Sequence, residues 1–176
     1  MCMFIQFILP FLLGCIVQNH EFDSGASSIT YSMKHKLHKW EGVAKQINLA
    51  AKWNERNEMN QLSIQVKISS FNSGMTGRDR QMLEITDATN NPNITFTSND
   101  IDYTDKGIVV KGKLQFHGVT RDLQTVVKMT RNNNRLEYTG TFPIFLEDYA
   151  IKRPSLLFVK VDNQVDIRFL IVFQEK

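Results

Sequence analysis

Apolar and polar residues alternate along most of the chain after Ile29, and a period of two is the mark of strands with one buried face. The clearest run is Leu62-Ser63-Ile64-Gln65-Val66-Lys67-Ile68-Ser69, apolar at every even position and polar at every odd one. From Ile108 to His117, Ile108, Val110, Leu114 and Phe116 take one face, while Lys111, Lys113, Gln115 and His117 share the other with Val109. Near the end of the chain Val165, Ile167, Phe169, Ile171 and Phe173 form one face. The opposite face begins polar (Asp166, Arg168) and ends apolar (Leu170, Val172), so that end is expected beneath a covering element. Weaker alternation predicts strands over 29–38, 43–53, 94–101, 123–131 and 135–146. Turn-forming runs such as Asn90-Asn91-Pro92-Asn93, Asp105-Lys106-Gly107 and Asn132-Asn133-Asn134 separate them. One helix is predicted over 78–89, with Met82, Ile85 and Thr89 on one face, after the loop Ser73-Gly74-Met75-Thr76-Gly77. Eight principal strands with one short helix predict an all-β, eight-stranded antiparallel barrel, because closure removes the sheet edges. A barrel of this size is either filled by its own side chains or hollow enough for one small ligand.

Composition narrows the function classes. The chain has 176 residues, 42% hydrophobic and 22% charged, which is a globular mix and suits one domain, read here as 29–176. Lys+Arg 21 against Asp+Glu 18 leaves a net charge of +3 with no basic run, so no nucleic-acid partner is expected. Twelve Phe point to an aromatic-rich core or an aromatic-walled cavity.

The segment Met3–Val17 is apolar apart from Gln6 and Pro10. It is shorter than the roughly 20 residues of a membrane-spanning helix and matches the apolar region of a secretory signal, although no Lys or Arg precedes it. The two cysteines, Cys2 and Cys15, both lie here, so the body offers no disulfide, thiol nucleophile or Cys-based zinc site. Leu12-Leu13-Gly14-Cys15 resembles a bacterial lipobox, in which the leader is cut before a Cys that then carries lipid. That reading makes 1–14 the signal segment, Cys15 the lipidation site and 15–28 a polar tether. The protein is then exported, periplasmic or anchored to the envelope through Cys15. An ordinary cleaved signal and a retained anchor are the alternatives.

Catalytic chemistry is hard to find. No G-x-S-x-G, HExxH, P-loop or dinucleotide fingerprint occurs. His35 and His38, three apart on one predicted strand, are expected to point to opposite faces and not to share a metal. His20 falls in the tether, and His117 precedes the turn at Gly118. Arg78 and Asp79 are expected to pair at the start of the helix, where a carboxylate is favoured.

The body resembles the YceI-like family of bacterial lipocalin-like barrels. Four segments carry the resemblance, in the family's order. They are Ile29-Thr30-Tyr31-Ser32-Met33-Lys34-His35 leading to Trp40-Glu41-Gly42, then Ser70 to Asp79 before the helix, then Pro92 to Ser98, and finally Gly112 to Arg121. The chain departs from the family at Leu146-Glu147-Asp148-Tyr149-Ala150, where Leu146 stands for an Arg and Ala150 for a Gly.

The resemblance implies a non-enzymatic protein that holds or carries an isoprenoid or quinone-type lipid in its barrel, with no other cofactor. The tunnel positions it implies are Ile64, Val66, Ile68, Phe71, Phe96, Val110, Leu114, Phe116, Val127, Phe142, Phe169 and Ile171. Phe145 and Phe173 are expected on inward faces as well. Arg78, Asp79, His117 and Arg121 are expected as polar contacts at the mouth. The alternative is a self-filled barrel that serves as a structural or docking protein of the envelope, and a homodimer is compatible with either reading.

Overall fold

Strands form where the alternation runs between turn-forming residues. The computed structural model describes residues 20–35, 38–156 and 159–176. In chain order the elements are β1 (His20–Phe22), β2 (Ser28–His35), β3 (His38–Ala44), β4 (Ile47–Trp53), β5 (Met59–Lys67), α1 (Thr76–Ile85) and β6 (Asn93–Thr104). They continue as β7 (Gly107–Phe116), β8 (Val119–Asn132), β9 (Arg135–Phe145), β10 (Ser155–Leu156), β11 (Val159–Lys160) and β12 (Gln164–Glu175). Short 3-10 helices span Ile68–Ser70 and Leu146–Tyr149.

The main sheet is antiparallel and runs β3-β2-β12-β9-β8-β7-β6-β5-β4, with β1 beside β12 and β10–β11 as a separate hairpin. The sheet curls until its two end strands, β3 and β4, are consecutive in the chain, joined by Lys45-Gln46. Val43 and Asn72 exchange two backbone hydrogen bonds, at 3.0 and 3.1 Å, near that seam. This is the expected all-β, lipocalin-like barrel with one short helix. The sheet path holds nine strands where the alternation predicted eight, because the chain reverses between β2 and β3 and again at 45–46. The helix stops at Ile85, short of Thr89, where Asp87 takes φ 47° and leaves the right-handed region.

Residues 20–28, read from sequence as part of the tether, run along β12. His20, Glu21 and Phe22 pair with Glu175, Gln174 and Phe173. Asp23 N–H then donates to Val172 O at 2.9 Å, and Val172 N–H donates to Ser27 Oγ at 3.0 Å. This loop holds the end of β12 where the pattern called for a cover, and Val172 is fully buried. The leader 1–14 and Cys15 lie outside the described residues.

One ladder is short. β8 and β9 pair only from Lys128↔Thr139 to Asn132↔Arg135, while Val119–Val127 of β8 pair with β7. Beyond Thr139, β9 pairs with β12 alone.

The register of β5 provides a stability test. Ser63, Gln65 and Lys67 are exposed, whereas Val66 is buried and Ile64 packs on the core opposite Phe96. Ile64→Asp places an unpaired carboxylate against that apolar face, and the expected loss is about 3 kcal/mol or more. Gln65→Asp, on the outer face, is expected to stay within about 0.5 kcal/mol. Urea unfolding of both variants checks this, and equal losses would contradict the register.

Candidate functional site in the barrel lumen

The inward parity of the strands produces a wall, and the wall encloses an apolar cavity of about 140 Å³. Register stacks the lining in layers. Met59, Tyr103 and Tyr138 lie at the base; Ile101, Val110 and Thr125 form the middle; Phe71, Phe116 and Ile144 lie at the top. The expected tunnel positions Ile64, Val66, Phe71, Phe96, Val110, Leu114, Phe116, Val127, Phe142, Phe169 and Ile171 all line this cavity. Ile68 does not: it is buried in the 3-10 helix and faces a second cavity. Phe145 is 40% exposed at the end of β9 and points away from the core, contrary to its expected inward place.

Two close approaches keep the rings against the wall. A methyl group at Gly140 would stand 2.6 Å from the ring of Phe169, its partner on β12, and one at Gly112 would stand 2.7 Å from the ring of Phe96. Only glycine leaves room for the rings to lie flat there. The large side chains of the lumen therefore lie along the wall as well as across it.

The base is packed shut. Trp53 stacks on His20 (4.2 Å between centroids) and meets the edge of Phe173 at 5.0 Å; Tyr138 meets Phe173 at 5.9 Å. His20 thus closes the barrel instead of lying in a free tether. Met59 N–H donates to Tyr103 Oη at 2.7 Å, and burial raises the phenol pKa of Tyr103 and, more strongly, of Tyr138. Arg131 donates to Glu175 at 2.8 Å at the rim.

The opposite end has a vestibule. A second cavity, of about 100 Å³, lies under α1 and is lined by Tyr31, Trp40, Met82, Ile85, Leu146 and Val165 among others. It shares Phe71, Ile94, Phe116, Ile144 and Ile167 with the lumen, so one apolar layer separates the two spaces. Tyr31 packs on Phe71 at 5.6 Å and Tyr149 on Phe116 at 5.5 Å, which steadies that layer.

Of the polar residues expected at the mouth, only Arg78 lines a cavity. Its guanidinium lies 5.2 Å from the centroid of the Trp40 ring, a cation–π contact. Asp79 does not pair with Arg78; its carboxylate accepts the Ser73 N–H at 3.1 Å and shapes the loop before the helix. His117 Nδ1 lies 2.8 Å from Tyr149 O, and Arg121 Nε donates to Asp148 O at 2.9 Å. These side chains brace the loops of the mouth, and none lines either cavity. Leu146, in the place of an Arg, is buried in the vestibule wall.

His35 and His38 also differ from expectation. They are cross-strand partners on the antiparallel strands β2 and β3, with rings 5.8 Å apart. Among the described residues no group of three or more His, Cys, Asp or Glu could hold a metal ion.

Sequence reasoning missed Tyr103 and Thr125 of the lumen and Tyr31 and Trp40 of the vestibule. Parity marks Thr125, which lies between Leu123 and Val127 on the inner face of β8. Tyr103 was hidden because β6 runs three residues past the strand predicted there, to Thr104.

The family model described as YceI-like domain matches residues 20–173. The chain belongs to the YceI-like family. No curated protein matches it. Among solved structures, Burkholderia cenocepacia BcnA is similar with a TM-score of 0.77 and 21% identity, over 86% of this chain and 99% of that one. A polyisoprenoid binding domain from Saccharophagus degradans gives 0.67 and 17%, over 89% and 98%. The Campylobacter jejuni YceI protein gives 0.67 and 17%, over 81% and 90%. At these identities the likeness is one of fold.

The YceI-like framework makes one departure costly. Ala150 ends the 3-10 helix Leu146–Tyr149 with φ 56° and ψ 24°, a left-handed conformation that costs an L-residue roughly 1–2 kcal/mol. Ala150→Gly is expected to raise stability by about 0.5–1 kcal/mol after the entropy of the unfolded glycine is subtracted. Thermal unfolding checks this as an increase of roughly 1–4 °C.

Proposed function

We propose that this YceI-like protein binds an isoprenoid or quinone-type lipid inside its barrel and performs no chemistry on it. The observation that carries the reading is the hollow interior: a cavity of about 140 Å³ surrounded by apolar side chains. A self-filled barrel would leave no such space. The name of the Saccharophagus degradans domain, a polyisoprenoid binding domain of the same fold, supports the choice of lipid.

The volume sets how the lipid is held. An apolar cavity of about 150 Å³ stays dry and accepts a molecule the size of benzene. The lumen therefore takes a short stretch of chain, and a longer chain displaces the layer of Phe71 and Phe116 to run on into the vestibule under α1. Affinity comes from burying hydrocarbon, at about 0.8 kcal/mol per methylene. No carboxylate, imidazole, thiol or amine is among the described residues of the lumen wall, which favours holding over turnover.

Protein isolated from its host membranes is expected to carry an isoprenoid lipid, seen by mass spectrometry of the organic extract. Val110→Trp or Val127→Trp fills the lumen and is expected to expel the lipid, at an overpacking cost of about 1–3 kcal/mol. Arg78→Ala is expected to weaken retention less, because the chain supplies most of the affinity. A wild-type protein that is empty and takes up neither quinones nor polyprenols would turn the reading to a docking role.

Location follows from the leader. We read the protein as exported and tethered to the envelope by lipid at Cys15. Labelling with an alkyne fatty acid is expected to mark wild type and not Cys15→Ser, and equal labelling would refute the anchor.

A further inference from the structure

Two stretches of the chain, 33–40 and 151–161, hold six Lys or Arg and no Asp or Glu. They lie far apart in the sequence, and the fold joins them at the rim of the vestibule. Asp162 N–H donates to Lys34 O at 3.0 Å, and His35 Nε2 lies 3.2 Å from Val159 O. Met33 and Trp40 from the first stretch and Pro154 from the second line the vestibule itself.

Charge on this rim is not balanced as it is elsewhere. On the walls and at the base, Lys111 pairs with Asp102, Arg168 with Glu41 and Arg131 with Glu175. On the rim Arg153 pairs with Glu147, and Asp162 stands at the border. Lys34, Lys39, Lys152 and Lys160 are exposed and form no ion pair among the described residues. Lys34 and Lys39 are also direct cross-strand partners. Like charges in that position repel and destabilise the hairpin, and an anion over the pair relieves the repulsion. Arg78 adds a further cation beside them, over the Trp40 ring.

We infer that this rim docks on a bilayer surface bearing anionic phospholipids. Its charge sets the sign of the partner. The choice of a lipid surface over another polyanion rests on the lipid-binding reading, because the rim surrounds the end where lipid passes in and out. An anionic leaflet attracts basic side chains only within a Debye length, so the contact weakens as salt rises. His20 packs on Trp53 at the base, so the N-terminal segment leaves the barrel at the end opposite the rim.

The pairing of the barrel lies within 20–176, and the family match begins at residue 20. The test therefore uses the chain from Gln18 on, so that neither the apolar leader nor Cys15 contributes to membrane binding. Co-sedimentation compares vesicles of phosphatidylcholine alone with vesicles of phosphatidylcholine and phosphatidylglycerol, at low and at physiological salt. Wild type is expected to bind the mixed vesicles about 10-fold more tightly at low salt, with the advantage shrinking as salt rises. Lys34→Gln/Lys39→Gln is expected to lose most of that advantage while melting at or above wild type, since the repulsive pair is gone. Lys52→Gln/Lys106→Gln removes the same charge from exposed lysines at the base end, and is expected to bind within about 2-fold of wild type. Equal binding of wild type to both vesicles, or equal losses in the two double variants, would overturn the inference. Either result leaves lipid binding in the barrel standing, because that is read from the organic extract of the isolated protein.

Discussion

The architecture depends on the pairing of β12. Its residues Gln164–Gln174 pair with β9, Val165–Leu170 with β2 and Phe173–Glu175 with β1. One strand therefore joins the first and last described segments and holds the half of the wall that faces β4–β7. A slip of one residue would turn Val165, Ile167, Phe169, Ile171 and Phe173 outward together. The opposition of Phe169 to Gly140 resists that slip, since the ring fits only over a residue without a side chain. Loss of this ladder would open the lumen along its length.

The two ends of the barrel are built from different chemistry, and this gives the cavity a direction. At the base, aromatic edges and faces meet directly in the cluster of His20, Trp53, Phe173 and Tyr138. At the other end, a helix with no fully buried residue and a 3-10 turn cover a second apolar space. The contacts there include Arg78 over Trp40 and the His117 and Arg121 side chains against loop carbonyls.

Charge is kept to the outside. Lys111 lies 3.0 Å from Asp102 on the outer face of β6 and β7, and Arg168 lies 3.2 Å from Glu41 across β12, β2 and β3. Glu41 also accepts the Ser32 hydroxyl at 2.6 Å, and this bond holds its carboxyl below the usual range. The inner face has three hydroxyls, on Tyr103, Tyr138 and Thr125, and no charge among the described residues of its lining. A site of that composition selects by shape, by apolar area and by the few oxygens it can reach.

The sequence by itself determined which face of each strand turns inward, because parity along a strand is a local property carried by neighbouring residues. That is why Ile64, Val66, Val110, Leu114 and Phe116 were legible, and why the wall followed from the pattern. Phe145 was misjudged although it follows the buried Ile144 and so has the outward parity of its strand; its ring, not its position in the alternation, suggested the core. His35 and His38 were misjudged because they belong to two paired strands, β2 and β3, and not to one. Whether the barrel is hollow was decided only by the tertiary structure. The glycines that receive the Phe96 and Phe169 rings lie on other strands, 16 and 29 residues away in the chain. The roles of Asp79, His117 and Arg121 were equally out of reach, since each is set by a backbone group that the fold brings near.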